Sequence, residues 1–259
     1  MSARDRDDDT WDAFITWLRA DRRPATHVEA VMRAYREELV ASGSSPDDAL
    51  ASMGRITRLL SERRDAWPPM FDRIYASDQA DFSTRPNAFL VEVTASRRPG
   101  RALEIGVGQG RNAAFLAASG WDVTGVDVSD TGLKAAHANA ARVGATIRTV
   151  LVDPDDDFDP GRDEWDLIVL TYVPVPIEDA AYAARLRAAL APGGLIVIES
   201  FAVSDELPVR RPVDFELHAV RAAFNGLREL RTEDTVAPAD WAARPVRVMR
   251  YAAEKATPA

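Results

Sequence analysis

The segment Leu103–Asn112, with the sequence LEIGVGQGRN, constrains the fold of this 259-residue chain more than any other. An apolar stretch runs into three glycines at alternate positions, Gly106, Gly108 and Gly110, and an alanine-rich stretch, Asn112–Ala118, follows. Glycine tolerates positive φ angles and lets a ligand approach the backbone, and the N–H groups at a helix N-terminus can bind it. The segment therefore predicts a buried strand, a ligand-binding turn and a helix.

A second apolar stretch, Val123–Val126, ends at Asp127, seventeen residues after Gly110. An acidic residue at the end of the second strand of such a unit accepts hydrogen bonds from both hydroxyls of a ribose. The pattern predicts a nucleoside cofactor, either NAD or S-adenosylmethionine. Arg111 stands where a dinucleotide motif has its third glycine, and the Glu104 carboxylate suits an ammonium or sulfonium better than a pyrophosphate. Both residues favour S-adenosylmethionine.

Four segments in order resemble motifs of the class I S-adenosylmethionine-dependent methyltransferases: Glu104–Asn112, Gly120–Ser129, Trp165–Tyr172 and Leu190–Glu199. The GQGRN variant is most similar to the branch of tellurite-resistance and thiopurine methyltransferase-like proteins. The resemblance covers about residues 67–253. It implies a Rossmann-like α/β fold, a doubly wound seven-stranded sheet with an antiparallel C-terminal hairpin, and S-adenosyl-L-methionine as the cofactor.

The alternation of helix and strand after Met70 also predicts a parallel, doubly wound sheet. Its strands are expected near Ala102–Ile105, Thr146–Val152, Asp166–Thr171 and Gly194–Glu199. The last two strands, near Leu227–Thr235 and Val246–Glu254, have no helix-length segment between them, so we expect an antiparallel hairpin at the sheet edge.

Residues 1–66 predict a helical extension, and residues 67–259 predict the methyltransferase domain. Two amphipathic helices are expected near Thr10–Ala20 and Thr26–Ala41, and a third begins after Ser45 as N-cap. The inward face of the third helix is expected to carry Leu50, Met53, Ile56, Leu59 and Leu60. The extension packs on itself or on the main domain, or it forms a lid, a substrate contact or a homodimer contact; the sequence leaves these alternatives open.

The composition excludes several function classes. The chain has no cysteine, which excludes disulfides, thiolate metal sites and cysteine nucleophiles. Its net charge of −9 argues against a nucleic-acid partner, and no apolar run reaches the roughly 20 residues of a membrane span. We expect a cytoplasmic protein that acts on a small molecule. The acidic run at residues 153–157 is interpreted as a solvated loop, and no metal site is predicted.

Ligands of doubly wound sheets lie at the carboxyl ends of the strands, so the candidate residues follow strand ends or lie in the glycine turn. Glu104 and the glycines are expected at the methionine part of the cofactor, Asp127 at the ribose and Val128 on the adenine face. The resemblance implies that Asp153 binds the adenine amino group, with the register open by two residues, and that Tyr75 closes over the cofactor. The predicted cofactor-binding residues are Glu104, Gly106, Gly108, Gly110, Arg111, Asn112, Asp127, Val128, Asp153, Thr171 and Tyr75.

Three residues are candidates for the chemistry of the acceptor: Tyr172, Glu199 and His218. Tyr172 and Glu199 end the fourth and fifth strands, and His218 lies in Asp214–Phe224, a segment predicted to be helical and to border the acceptor pocket. Methyl transfer from a sulfonium depends chiefly on alignment of donor and acceptor, so a general base is optional.

The expected reaction is methyl transfer to O, N or S of a small molecule, by hypothesis in specialised metabolism. One alternative is a regulatory or partner protein that binds S-adenosylmethionine or S-adenosylhomocysteine without turnover. A second is an NAD(P)-dependent oxidoreductase, which Arg111 disfavours. The acceptor molecule, the acceptor atom and the oligomeric state are not readable from the sequence.

Overall fold

A computed structural model of the chain describes residues 3–21, 23–77, 83–155, 158–204, 210–239 and 245–257. The chain divides into two compact units. The first, which we call the helical unit, comprises residues 1–81 and 129–131, and the second, the sheet unit, comprises residues 82–128 and 132–259.

The helical unit is built from α1 (Ala3–Ala20), α2 (Val28–Ala41), α3 (Pro46–Leu59) and α4 (Trp67–Tyr75). Its core contains the apolar faces of these amphipathic helices. Phe14, Val31 and Ile56 are fully buried, and the rings of Phe14 and Tyr35 pack edge to face with centroids 5.1 Å apart. A proline pair in its first turn starts α4, where proline costs no backbone hydrogen bond.

The third helix begins as predicted, because the Ser45 hydroxyl accepts a hydrogen bond from the backbone N–H of Asp48. The prediction that Leu50 faces inward is wrong, since its side chain is 62% exposed. The buried position in that turn belongs to Ala49. Ala49, Met53 and Ile56 are spaced by four and three residues and share one face of the helix, and Leu50 is rotated away from it.

The sheet unit holds a mixed sheet with the strand order β3-β2-β1-β4-β5-β8-β7 and a short β6 paired with β5. The strands from β3 to β5 are parallel, and β8 and β7 are antiparallel to their neighbours. The predicted fold class, with its C-terminal hairpin, is confirmed. The strands are β1 (Arg101–Ile105), β2 (Asp122–Asp127), β3 (Arg148–Leu151), β4 (Trp165–Thr171), β5 (Leu190–Ala202), β6 (Asp214–Phe215), β7 (Arg228–Pro238) and β8 (Pro245–Glu254).

Helices cover both faces of this sheet. They are α5 (Ala88–Thr94), α6 (Arg111–Ala118), α7 (Asp130–Arg142), α8 (Ala180–Ala189) and α9 (Leu217–Ala223). Alternate residues of β4 enter opposite core clusters, with Ile168 and Leu170 on one face and Leu167 and Val169 on the other. Burial on both faces explains why the central strands are continuous apolar runs.

The predicted helix over Asp214–Phe224 is corrected at its start. Asp214 and Phe215 pair with Phe201 and Ala202 of β5 as a short parallel strand, and the helix begins only at Leu217. The strand takes up the backbone hydrogen bonds that a first helical turn would otherwise leave unmade.

Among the described residues, no helix is both long enough and apolar enough to cross a membrane. The same ranges contain no cluster of three or more His, Cys, Asp or Glu side chains arranged to hold a metal ion. Residues 156 and 157 of the predicted acidic loop lie outside the described ranges.

Candidate functional site

The glycine turn connects β1 to α6 with three positive φ angles, 73° at Gly106, 51° at Gly108 and 76° at Gly110. At two of these positions, glycine is required by the lack of room for a side chain as well as by the positive φ angle. A Cβ on Gly110 would lie 2.6 Å from the Cβ of Ala136 on α7, and one on Gly106 would lie 2.6 Å from Val173 Cγ2. The turn is therefore packed tightly against its surroundings, and its backbone conformation is fixed.

Two acidic residues lie at neighbouring strand ends beside this turn. Asp127 ends β2, is 6% exposed, and its Oδ2 accepts a hydrogen bond of 2.8 Å from the backbone N–H of Gly108. Asp153 comes two residues after β3, which pairs with β2 in parallel, and its Oδ1 accepts from the N–H of Asp155. Parallel strands end at the same edge of a sheet, so both carboxylates belong to the carboxyl edge.

Glu104 on β1 is more deeply buried than Asp127 and is 1% exposed. Its Oε1 accepts a hydrogen bond of 2.9 Å from Asn112 Nδ2, whereas its Oε2 is buried without a hydrogen-bond partner among the described residues. Burial raises the pKa of Glu104 to about 7. The hydrogen bond from Asn112, the charge of Arg111 and the backbone N–H of Ala113 offset only part of that effect. A buried oxygen without a partner is costly unless a donor or cation reaches it.

Asn112, in the first turn of α6, is completely buried and connects three elements. Its Nδ2 donates to Glu104 Oε1 and, at 3.1 Å, to Thr171 Oγ1 at the end of β4. Its Oδ1 accepts a 2.8 Å hydrogen bond from the backbone N–H of Asn87. The predicted residues Glu104, Asn112 and Thr171 therefore lie together in one hydrogen-bonded group.

The segment Ser83–Asn87, just before α5, is hydrogen-bonded to the glycine turn and the start of α6. Gln109 Nε2 donates to the Ser83 carbonyl at 3.2 Å, and Arg111 Nη1 donates to the Arg85 carbonyl at 3.1 Å. Gln109, Arg111 and Asn112, the non-glycine residues of the GQGRN motif, therefore all form hydrogen bonds with Ser83–Asn87. Arg111, predicted as a cofactor-binding residue, has its guanidinium at the Arg85 carbonyl.

Glu199 near the carboxyl end of β5 forms a second buried group and is 1% exposed. Its Oε1 accepts from Asn87 Nδ2 at 2.6 Å and from the Tyr172 hydroxyl at 2.8 Å. Its Oε2 accepts from Arg250 Nε at 2.6 Å, and Arg250 Nη1 also binds Glu233 Oε2 at 3.0 Å. Glu199 therefore has a cationic partner from the neighbouring antiparallel strand.

Tyr172 follows β4 in the left-handed region with φ of 54°, which is rare for a residue other than glycine. Its backbone N–H donates to the Glu199 carbonyl, and its ring lies 4.9 Å from that of Phe201. Hydrogen bonds at both ends of the residue and the ring contact hold this conformation.

A family described as a methyltransferase domain matches residues 77–238 of the chain. The chain belongs to this methyltransferase family. The release factor glutamine methyltransferase of Bordetella pertussis is 32% identical over 201 residues, which are 71% of this chain and 69% of the relative.

Solved structures show the same fold. TehB from Haemophilus influenzae superposes with a TM-score of 0.56 at 18% identity, over 72% of this chain and 66% of TehB. The N-methyltransferase NodS from Bradyrhizobium japonicum, in complex with S-adenosyl-l-homocysteine, superposes with a TM-score of 0.52 at 21% identity, over 64% of this chain and 83% of NodS.

The structure also describes three further predicted site residues of this methyltransferase. His218 lies on α9 with its side chain 81% exposed, and its Nδ1 is 3.0 Å from Glu216 Oε2. Tyr75 ends α4 in the helical unit, where its ring stacks on that of Phe71. Val128 is half-buried directly after β2.

Sequence reasoning missed the contacts that Asn87 and Arg250 make with Glu199. The sequence indicates that Asn87 begins a helix, because it follows Pro86, and in the structure it caps α5 by accepting from the N–H of Leu90. Its partner Glu199 lies 112 residues further along the chain, so this contact has no local signal. For Arg250 no local signal exists. It lies opposite Glu199 only because of the antiparallel register between β5 and β8.

Proposed function

We propose that this methyltransferase uses S-adenosyl-L-methionine to methylate an O, N or S atom of a small-molecule acceptor. The observation that carries the proposal is the buried Oε2 of Glu104 beside a glycine turn, which has no hydrogen-bond partner among the residues that the structure describes. A cationic amino-acid group of the cofactor would supply a partner for this oxygen, and it would offset the effect of burial, which raises the pKa of Glu104. A pyrophosphate would be repelled by the same carboxylate.

The remaining cofactor contacts are assigned to the carboxyl edge of the sheet. Glu104 and the turn Gly106–Gly110 would hold the methionine part, Asp127 the ribose, and Val128 with Asp153 the adenine. The bound cofactor supplies an electrophilic methyl group on its sulfonium. The chain's own part is to bind, to orient and to exclude water, which the burial of Glu104 and Asp127 supports.

The predicted catalytic residues divide into two kinds. Tyr172 and Glu199 lie together near the ends of β4 and β5, and their side chains hydrogen-bond to each other. Both oxygens of Glu199 accept hydrogen bonds, one of them from a guanidinium, which suits positioning better than proton abstraction. His218 is exposed on α9, and its proposed role in the acceptor pocket rests on the sequence alone.

The family branch, the cellular location, the metabolic role and the oligomeric state are proposed from the sequence. Placement near the tellurite-resistance and thiopurine methyltransferase-like branch rests on the GQGRN motif. The net negative charge supports a small-molecule acceptor over a nucleic acid. A cytoplasmic location and a role in specialised metabolism are further proposals from the sequence. We also propose a homodimer formed through the N-terminal helices, because these helices are amphipathic.

The experiment that tests the proposal is calorimetric titration of the full-length protein with S-adenosylmethionine, S-adenosylhomocysteine and NAD. We expect binding of the first two ligands and none of NAD. Binding of NAD alone, or of no ligand, contradicts the proposal.

Turnover is then measured as S-adenosylhomocysteine release with a panel of hydroxyl, amine and thiol acceptors. Release with one acceptor class confirms methyl transfer and assigns the acceptor atom. Tight binding of S-adenosylmethionine without release on any acceptor instead supports the regulatory protein.

A further inference from the structure

Two asparagines connect the buried carboxylates of Glu104 and Glu199 through one chain of hydrogen bonds. Asn112 donates to Glu104, the backbone N–H of Asn87 donates to Asn112, and the Asn87 side chain donates to Glu199. Glu104, Glu199 and both asparagines are 1% exposed or less. A buried polar chain of this kind has few alternative arrangements, because each unmade hydrogen bond would be costly.

The orientation of each side-chain amide is fixed by the hydrogen bond that its oxygen accepts. Asn112 Oδ1 must face the N–H of Asn87, because only an oxygen accepts, and this leaves Asn112 Nδ2 facing Glu104 and Thr171. Likewise, Asn87 Oδ1 accepts from the N–H of Leu90, which leaves its Nδ2 facing Glu199. A flipped Asn112 would put an oxygen against the Glu104 carboxylate and lose both contacts.

We propose that Asn112 is a positioning residue for cofactor binding: it occupies Glu104 Oε1 and so reserves Oε2 for the ammonium group of the cofactor, while Asn87, anchored by Glu199, fixes the orientation of Asn112. The inference rests on the proposed function, because it assumes a cofactor with an ammonium group. It assigns the Asn of the GQGRN motif to the orientation of Glu104 and gives it no direct contact with the ligand.

The charged groups around Glu104 define what else acts on it. Arg111 favours its charged form and Asp127 disfavours it, and neither replaces the hydrogen bond that Asn112 donates. Without that bond the ionised carboxylate loses a donor in a fully buried position. Binding of an ammonium ligand should then weaken most at low pH, where Glu104 is protonated.

The test variant is Asn112→Asp, which keeps the shape and replaces the donor by an acceptor. S-Adenosylhomocysteine has the ammonium group, and 5′-methylthioadenosine lacks the whole amino-acid part, so the two ligands separate positioning of Glu104 from general damage. We expect about tenfold or greater weakening for the first ligand and little change for the second. We also expect the pH midpoint of S-adenosylhomocysteine binding to move upward.

Asn139→Ala is the matched control, because Asn139 Nδ2 donates to the Gln109 carbonyl of the same turn at 2.7 Å without touching Glu104. It should leave the pH midpoint in place. A second variant, Asn87→Asp, keeps an acceptor for the N–H of Leu90 but replaces the donor that faces Glu199. Asn87→Asp should also weaken the binding of S-adenosylhomocysteine more than that of 5′-methylthioadenosine, but by a smaller factor than Asn112→Asp. It is the test variant if Asn112→Asp does not fold.

The outcomes separate the inference from the proposed function. Wild-type protein that binds no adenosyl ligand overturns both. Wild-type protein that binds S-adenosylhomocysteine, with a folded variant that binds both ligands as the wild type does, overturns the inference alone. Equal weakening for both ligands, with an unmoved pH midpoint, also overturns it, because that is the result of a merely structural role.

Discussion

Glu104 and Glu199 are equally buried carboxylates near the ends of parallel strands, and they differ in the charge that faces them. Glu199 has the Arg250 guanidinium at 2.6 Å and two further donors, so its charge is balanced within the protein. Glu104 has one side-chain donor, Asn112, and an oxygen without a partner among the described residues. Burial raises the pKa of Glu104 to about 7.

The difference teaches how to tell a structural carboxylate from a ligand site when both are buried. A buried ion pair satisfied by the protein needs nothing from outside, and breaking it leaves an uncompensated charge. A buried carboxylate that lacks a cation is a cost to the fold that a cationic ligand removes. On this basis, we interpret Glu199 as a support of the architecture, and we propose that Glu104 belongs to the binding site.

The largest effect is expected for Arg250→Ala. It leaves the Glu199 charge buried without its cation and should lower the free energy of unfolding by about 3 to 5 kcal/mol. Urea denaturation followed by circular dichroism measures it. Arg247→Ala on the same strand is the control, because Arg247 is half-exposed in its pair with Asp234 and should cost about 1 kcal/mol or less. Equal losses for both variants would contradict the comparison.

Glu104→Gln should act in opposite directions on stability and binding. The folded-state pKa of Glu104 is about 7 against an ordinary value of 4.5, so the folded state binds the proton more tightly and the contribution of this group to stability falls as pH rises between those values. Above pH 7 the variant should therefore be more stable than the wild type, by about 3 kcal/mol.

The same variant should bind S-adenosylmethionine at least tenfold more weakly, because a charged acceptor is lost. Thermal unfolding of both proteins across this pH range, together with calorimetry, measures the two effects. If the difference in stability does not change with pH, Glu104 is not the unbalanced charge that we describe.

Asp127→Ala should weaken cofactor binding by roughly 1.5 to 3 kcal/mol for each ribose hydrogen bond lost, with the fold intact. The matched control is Asp122→Ala at the other end of β2, where the exposed pair with Arg148 contributes little. Calorimetry on both variants is the measurement. Unchanged affinity in a folded Asp127 variant would refute the ribose assignment and leave Glu104 as the remaining acidic determinant.

The smallest effect is expected for Tyr172→Phe. Removing the hydroxyl deletes one of the three side-chain hydrogen bonds that Glu199 accepts from the described residues, and it should cost about 1 kcal/mol of stability. Methyl transfer should fall only modestly if Glu199 is structural. A loss of activity of about a hundredfold or more with unchanged stability would instead make Tyr172 a catalytic residue.

The sequence predicts the parts of the molecule that depend on local chemistry. The glycine turn, Asp127 at a strand end and the Ser45 cap are readable because each needs a particular residue at a particular backbone position. The fold class follows from the order of helices and strands.

The parts that sequence reasoning missed are set by tertiary contacts. The pairing of Arg250 with Glu199 depends on strand register, and the role of Gln109, Arg111 and Asn112 depends on where Ser83–Asn87 runs. The exposure of Leu50 was also not predictable, because the apolar pattern of the helix does not distinguish which of the adjacent residues Ala49 and Leu50 faces the core.

The hydrogen bond from the Gly108 N–H to Asp127 has a consequence for the rates of ligand exchange. Ordering a loop residue costs about 1 to 2 kcal/mol of entropy, and here that ordering takes place during folding, before any ligand arrives. A preorganised turn needs no slow rearrangement on encounter, so related nucleosides should associate at similar rates. Their affinities should then differ chiefly in how long each one stays bound.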